Sequence, residues 1–341
     1  MTSLPGATVD NMSDLWRRCW HAVATSEEVG ASPHQVWLLG QPWCVARLGG
    51  AIAAFEDWCP HRLAPLSAGV VCGDVLQCGY HGWRFGASGR CAAIPALSPD
   101  TPIPSRAVAR RPWGVMERYG LIWLAPEEPV CDLPDIGEWE DGRFTTARST
   151  VVRTPAGAAQ LVDNFLDAAH FPFVHASTFG VEESSEVSDR GVVRNGWSVE
   201  TTFDTWYRNF DDPLVATGQH AAVQPQVLLK RAGVSLSVFL RLEFPVTGAT
   251  IVIFFCCTPE RADVTRVYKL MARDDLGGDA ARLQAFIADE DTILAEDLAI
   301  LERYGHPGVP LDRTVEVHTR ADRLSLGWRQ LLAEFILRVP V

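Results

Sequence analysis

The sequence predicts an α+β protein of two domains, an all-β one followed by a mixed one, and three observations predict it. Residues 16–129 fall into short β-rich segments punctuated by turn residues. A stretch rich in proline and acids, PEEPVCDLPDIGEWEDG at 126–142, reads as a linker. Beyond it come a helical pattern, several long alternating stretches and two further helical patterns, the order of an α+β domain.

In the first part the segments VWLLG, WCVARLGG, AIAAFED, GVVCGDVLQC, GWRFGASGR and VMERYGLIWLA are each a strand length, and the pairs Gly49-Gly50 and Ser88-Gly89 read as hairpin turns. In the second part a helix is expected around 157–170, strands at 198–208, 235–245, 249–257 and 263–273, and helices at 279–303 and 320–338. The expected domains are residues 1–130 and 131–341. No repeat or low-complexity tract interrupts this order.

Composition narrows the function classes. Hydrophobic residues are 47% and charged residues 21% of 341, as in a globular protein rather than a disordered one. There is no apolar run of spanning length, and the opening MTSLPGATVDNMSDLW lacks a basic stretch followed by an apolar one, so a cytoplasmic protein is expected. A formal charge of −12 argues against a nucleic-acid backbone as partner. The nine cysteines are too few and too scattered for a disulfide scaffold, and read as thiols or metal ligands.

Four of the metal-ligating side chains form one constellation. Cys59-Pro-His61 is followed, after sixteen residues, by Cys78-Gly-Tyr-His81, each pair on a tight loop beside a predicted strand. Two thiolates can hold one iron of a [2Fe–2S] unit and two imidazoles the other, a ligation that raises the potential above that of an all-thiolate cluster. A structural zinc site would pair like with like, as C-x₂₋₄-C and H-x₃₋₅-H, whereas here each loop supplies one of each.

The second constellation opens the mixed domain, in Asn164-Phe-Leu-Asp167-Ala-Ala-His170-Phe-Pro-Phe-Val-His175. Asn164, Asp167 and His170 recur every three residues, one polar stripe if the segment is helical. His175 would point away on a regular helix, and Pro172 is expected to bend the chain so that both imidazoles face inward. Two histidines and a carboxylate make the facial triad of a non-haem Fe(II) site with open positions. On a helical wheel of 279–303, Asp291 falls within the apolar face defined by Ile287, Leu294, Leu298 and Leu301, with Glu290 and Asp297 at its edge and Asp289 and Glu296 on the solvated side. Asp291 is therefore the expected third ligand, since a buried carboxylate needs a cation. Asp167, three residues before His170, can orient its ring.

The motifs CPHRL and CGYHGWRF, with the opening WRRCWHAVA, resemble the α subunit of Rieske non-haem iron oxygenases. The resemblance implies a Rieske cluster on Cys59, His61, Cys78 and His81, shielded by Trp83. It implies a mononuclear iron on His170, His175 and a late-helix Asp that Asp291 matches best, with Asp167 as a carboxylate bridging to a neighbouring subunit's cluster and Asn164 opening the motif. The late R-A-D-x₆-R run, Arg320 to Arg329, looks like the vanillate and dicamba O-demethylase branch. That branch implies a homotrimer, a helix-grip (START-like) catalytic domain with a curved antiparallel sheet, and monooxygenation of an aromatic or similar ring compound by hydroxylation or O- or N-demethylation. The absence of a G-x-G-x-x-G fingerprint implies electrons from a separate NAD(P)H reductase or ferredoxin. Ring cis-dihydroxylation, and an electron-transfer protein with a silent second domain, are the competing readings. For the substrate pocket, Phe165, Phe171, Phe239 and Phe254 are expected walls, with Asn209, His220 and Gln226 orienting a polar group; His21 and His318 read as structural or surface residues.

Overall fold

The computed structural model describes residues 4–182, 185–306 and 308–338. Two compact units result: Trp16–Asp132 together with Thr258–Ala262, and the remainder of the chain. The division departs from the expected 1–130 and 131–341, because the chain up to Leu15 groups with the second unit. There Thr8–Asp10 pairs antiparallel with Gly308–Pro310. The buried amide of Asn11 accepts from the backbone N–H of Ala158 at 2.8 Å and donates to Thr265 Oγ1 at 3.0 Å. A segment that reads as the start of the β domain instead supports the first helix of the other unit.

The β unit contains three small antiparallel sheets. One joins Gly114–Arg118, Leu121–Ala125 and His21–Thr25; a second joins His34–Leu38, Gln41–Leu48 and Ala51–Glu56. The third joins Val70–Cys72, Val75–Gln77, Arg84–Gly86 and Cys91–Ala93. The Gly49-Gly50 turn closes its hairpin in register, Leu48 opposite Ala51. Phe55, Leu66, Leu76 and Phe85 form a core against which Cys59 and Cys78 are buried.

The second unit is built on a nine-stranded sheet. Its main path runs Thr145–Arg148, Val264–Arg273, Ala249–Arg261, Ser237–Phe244, Val223–Gly233, Ser198–Arg208 and Ser188–Asp189, so strands consecutive in the chain lie side by side through its centre. Val152–Thr154 and Val193–Asn195 add to its margins. Helices Ala158–Leu166, Ala280–Leu301 and Arg323–Arg338 complete the unit, near the predicted 157–170, 279–303 and 320–338. The antiparallel sheet and its helices are the α+β catalytic fold the sequence implies.

The strand Val223–Gly233 is absent from the sequence expectations. Its stretch VQPQVLLKRAG holds Pro225 and Lys230, both poor strand formers in a sheet interior. Long pairing on both sides carries it: every residue from Val223 to Gly233 has a partner in Ser198–Arg208. No helix among the described residues is long and apolar enough to cross a membrane.

Candidate functional site

The cluster loops take their shape from backbone hydrogen bonds that turn each one back on itself. Leu63 N–H donates to Cys59 O at 2.8 Å and Cys59 N–H to Ala64 O at 2.8 Å; in the second loop Gly82 N–H donates to Cys78 O at 3.0 Å and Cys78 N–H to Trp83 O at 2.8 Å. Gly79 lets the loop pass against its neighbour, for a Cβ there would sit 2.7 Å from Ala68 O. Cys59 and Cys78 are buried, 2% and 1% exposed. Burial, reinforced by the Cys78 sulfur, pushes the Cys59 thiol up to about 11, so a thiolate here needs a metal to hold it. The rings of His61 and His81 lie 4.4 Å apart, and Trp83 stacks on His61 at 4.6 Å with 9° between the planes. His61 Nδ1 is buried with no hydrogen-bond partner among the described residues, as a ring nitrogen reserved for a metal would be. The donor set, two sulfurs and two imidazoles with that orphaned nitrogen, fits a Rieske cluster.

In the second unit the helix Ala158–Leu166 carries Asn164 and ends before Asp167, whose backbone is extended (φ −73°, ψ 146°). The expected continuous stripe is thus broken one residue after Leu166. Pro172 does not bend a running helix; it stands in the first turn of a new one, Phe171–Val174, where its missing N–H costs nothing. His170 precedes that turn and His175 follows it, so the pair brackets four residues and its rings come within 5.2 Å. Gly180 then packs onto the turn: its N–H donates to His175 O at 2.8 Å, and a Cβ would meet Phe171 O at 2.4 Å.

The carboxylate that meets these histidines is Asp297. One ligand atom from each of His170, His175 and Asp297 lies within 4.8 Å of the others. Asp297 Oδ1 is 3.3 Å from His175 Nε2 and 3.5 Å from His170 Nε2. That oxygen is buried without a hydrogen-bond partner among the described residues, which fits a cation between the three groups. Burial raises the Asp297 carboxyl, but the two histidines and the nearby Asn164 amide outweigh it and hold the group below the usual carboxylate range. Asn164 Nδ2 is itself buried with no hydrogen-bond partner among the described residues.

Asp291 is not at this site, which corrects the sequence expectation. It accepts from Thr150 N–H at 3.2 Å and from Thr150 Oγ1 at 2.7 Å, tying the helix to that segment. The buried residues of Ala280–Leu301 are Phe286, Glu290, Leu294, Asp297, Leu298 and Leu301, so the inward face is turned from the predicted one and two carboxylates belong to it.

Each histidine has a carboxylate on its remaining ring nitrogen. Asp167 Oδ2 lies 2.8 Å from His170 Nδ1, and the Asp167 carboxylate also accepts from the N–H groups of Ala169 and His170. Burial opposes ionisation of Asp167, yet His170 and these donors bring its carboxyl down to about 2. On the other side Glu296 Oε2 lies 2.8 Å from His175 Nδ1 and accepts from Thr178 Oγ1 at 2.9 Å, while Ser177 Oγ donates to Oε1. Sequence reasoning placed Glu296 on the solvated side and missed it. With both Nδ1 atoms so engaged, both Nε2 atoms point at Asp297, the tautomer an Nε2-ligated metal requires.

Two cavities meet at His170 and Asp297. A cleft of about 720 Å³ is lined by Asp163, Asn164, Asp167, Arg329, His170 and Asp297 among others. A smaller pocket has apolar walls, with Phe165, Phe171, Phe179, Leu228, Leu240 and Phe255; it shares His170 and Asp297 with the cleft and adds His175. The smaller one has the character of a site for an apolar ring, few polar groups on hydrophobic walls, although the cleft is larger.

Of the expected pocket residues, Phe165, Phe171 and Gln226 line this pocket. Phe239 and Phe254 do not: Leu240, Leu242, Ile253 and Phe255 face it, and strand alternation turns 239 and 254 to the opposite face. Asn209 and His220 are also elsewhere, in a network in which His220 Nδ1 lies 2.6 Å from Asp212 Oδ2, Gln224 donates to the same oxygen at 2.7 Å and Asn209 donates to Gln224 at 3.1 Å.

Comparison with known proteins agrees with both halves. The family described as the Rieske [2Fe-2S] domain matches residues 19–111, and the vanillate O-demethylase oxygenase C-terminal domain matches residues 154–338, more than half the chain. The chain is 28% identical over 340 residues to the methylxanthine N1-demethylase NdmA of Pseudomonas putida, covering 96% of this chain and 91% of that protein. It is 31% identical over 185 residues to the oxygenase component of dicamba O-demethylase from Stenotrophomonas maltophilia, covering 53% of each. The solved structure of Pseudomonas putida CBB5 NdmA superposes with a TM-score of 0.81 at 27% identity, over 95% of this chain and 93% of that one. Dicamba monooxygenase shares the fold, with a TM-score of 0.76 at 21% identity over 96% and 98% of the two chains. The chain therefore belongs to the Rieske non-haem iron oxygenases, in the vanillate and dicamba O-demethylase branch, as an oxygenase component that carries a [2Fe–2S] cluster and a mononuclear iron and works with O₂ and an external electron donor.

Proposed function

We propose that this oxygenase holds its catalytic iron on His170, His175 and Asp297 and monooxygenates a ring compound bound in the apolar pocket beside them, by hydroxylation or by oxidative O- or N-demethylation. The observation that carries the reading is the buried, unpartnered Oδ1 of Asp297 facing two imidazole Nε2 atoms at 3.3 and 3.5 Å. The iron, when bound, supplies open positions for O₂ next to the substrate. The chain's own part is positional: Asp167 and Glu296 fix the two rings, while the phenylalanine and leucine walls exclude water and hold the ring.

The cluster ligands in this reading are Cys59, His61, Cys78 and His81. Asp167, which lines the larger cleft as well as holding His170, links that ring to the cluster of a neighbouring copy in a homotrimer, and Asn164 steadies Asp297. Electrons come from an NAD(P)H reductase, directly or through a ferredoxin, in the cytoplasm. The relatives named for removing methyl groups from nitrogen and from oxygen support demethylation over ring cis-dihydroxylation. The test is reductase-dependent turnover of methoxy-aromatic and N-methyl ring compounds with ¹⁸O₂. One labelled oxygen per product, or formaldehyde released per methyl lost, is expected; a cis-diol carrying two labelled oxygens would replace this reading.

A further inference from the structure

Along the pocket wall, Gln226, Leu228 and Lys230 lie on the same face of the strand Val223–Gly233, and Gln224 precedes them on that face. The two glutamines differ in one respect. Gln224 is saturated: its Nε2 donates to Asp212 Oδ2 at 2.7 Å and to Ala221 O at 3.1 Å, and its Oε1 accepts from Asn209. Gln226, only 3% exposed, has a buried Nε2 with no hydrogen-bond partner among the described residues, and it lines the pocket. A buried amide N–H left without an acceptor is destabilising, so a ligand that supplies the acceptor gains by comparison with one that does not.

The other charged groups on the wall indicate the charge of that ligand. Lys230 is committed to the iron end: its Nζ donates to Asp167 O at 2.5 Å and lies 4.4 Å from the centre of the Phe171 ring. Four residues along an extended strand put Gln226 about 13 Å from it. Glu290 lines the pocket too, with Oε2 at 3.2 Å from Lys269 Nζ. No arginine lines this pocket among the described residues. An anionic substrate group would meet no uncommitted cation on this wall, whereas a neutral carbonyl at Gln226 would meet a waiting donor.

We propose that Gln226 is the specificity-determining residue of the pocket, donating from Nε2 to a carbonyl oxygen of an uncharged ring substrate. The inference rests on the reading of this pocket as the substrate site beside the His170, His175 and Asp297 iron.

The test uses the iron-loaded enzyme, anaerobic, with three probes titrated calorimetrically: 1-methyl-2-pyridone, a neutral ring with a carbonyl; anisole, neutral without one; and 4-methoxybenzoate, an anion. The pyridone is expected to bind about tenfold tighter than either of the others. Gln226→Leu should weaken the pyridone about tenfold and leave anisole within twofold, a selectivity change that a general loss of packing would not produce. Gln226→Met, of similar size, removes the donor and should weaken the pyridone about as much; it decides the matter if the leucine variant fails to fold. The proposal is overturned if the benzoate binds tightest, if none of the three binds, or if the variants shift pyridone and anisole alike or not at all. Iron is counted on the same samples. Wild-type protein without its mononuclear iron would sink the triad and this inference with it, while full iron with unchanged selectivity would sink only the role of Gln226.

Discussion

Asp167 holds His170 at two atoms, its Oδ2 lying 2.8 Å from the ring Nδ1 and 3.1 Å from the backbone nitrogen. Asp167→Asn keeps the shape and removes the charge. The variant is expected to retain cluster and mononuclear iron but to pass an electron from reduced cluster to iron about 10–100-fold more slowly, read by rapid freezing of the reduced enzyme mixed with O₂. Transfer at the wild-type rate would remove Asp167 from the electron path.

Arg329 anchors the late helix to the helix Ala158–Leu166. Its Nε and Nη2 donate to the two oxygens of Asp163 at 3.0 and 2.7 Å, and both side chains are largely covered, 11% and 22% exposed. Arg329→Met should leave Asp163 unpaired and lower unfolding stability by about 2–4 kcal/mol in denaturant titration. Adding Asp163→Leu should restore most of it, because the loss is that of an uncompensated charge. A double variant no more stable than the single one would contradict this.

His21 gives the fold an acid limit. It is 3% exposed, with Nε2 2.7 Å from Trp16 O, and burial lowers its imidazole to about 4 despite that bond. Unfolded, it titrates near 6.5. Between these values the unfolded chain binds the extra proton, so stability falls as pH drops through that window and is unaffected by His21 above it. Wild type should lose about 2 kcal/mol more than His21→Gln between pH 7 and pH 5, measured by denaturant titration at each pH. Equal losses would place the acid sensitivity elsewhere.

The cluster site was legible because its four ligands sit in two short loops whose spacing is written in the chain. The long strands and three main helices were legible from periodicity. What was lost is instructive. The strand Val223–Gly233 holds Pro225 and a buried Lys230, so its local preference opposes the sheet pairing that forms it. Asp291 was preferred to Asp297 because the wheel was centred on Ile287, a half-buried residue, and passed over the buried Phe286; centring on Phe286 and Leu294 brings Glu290 and Asp297 inside. A face on which carboxylates are buried beside a metal gives a weak apolar pattern by its nature. Glu296 was invisible for a different reason: its partner His175 is 121 residues away, and nothing local marks it. Phe239 and Phe254 were misplaced by parity alone, since the phase of a strand's alternation is set by what covers each face.

The central claim is that Asp297, and not Asp291, completes the iron site. Iron and acid-labile sulfide measured per chain in three proteins test it most directly. Wild type and Asp291→Ala should each hold the two irons and two sulfides of the cluster plus one further iron. Asp297→Ala should hold the cluster alone, with its brown absorption intact. Full iron in Asp297→Ala, or loss of the third iron in Asp291→Ala, would contradict the account.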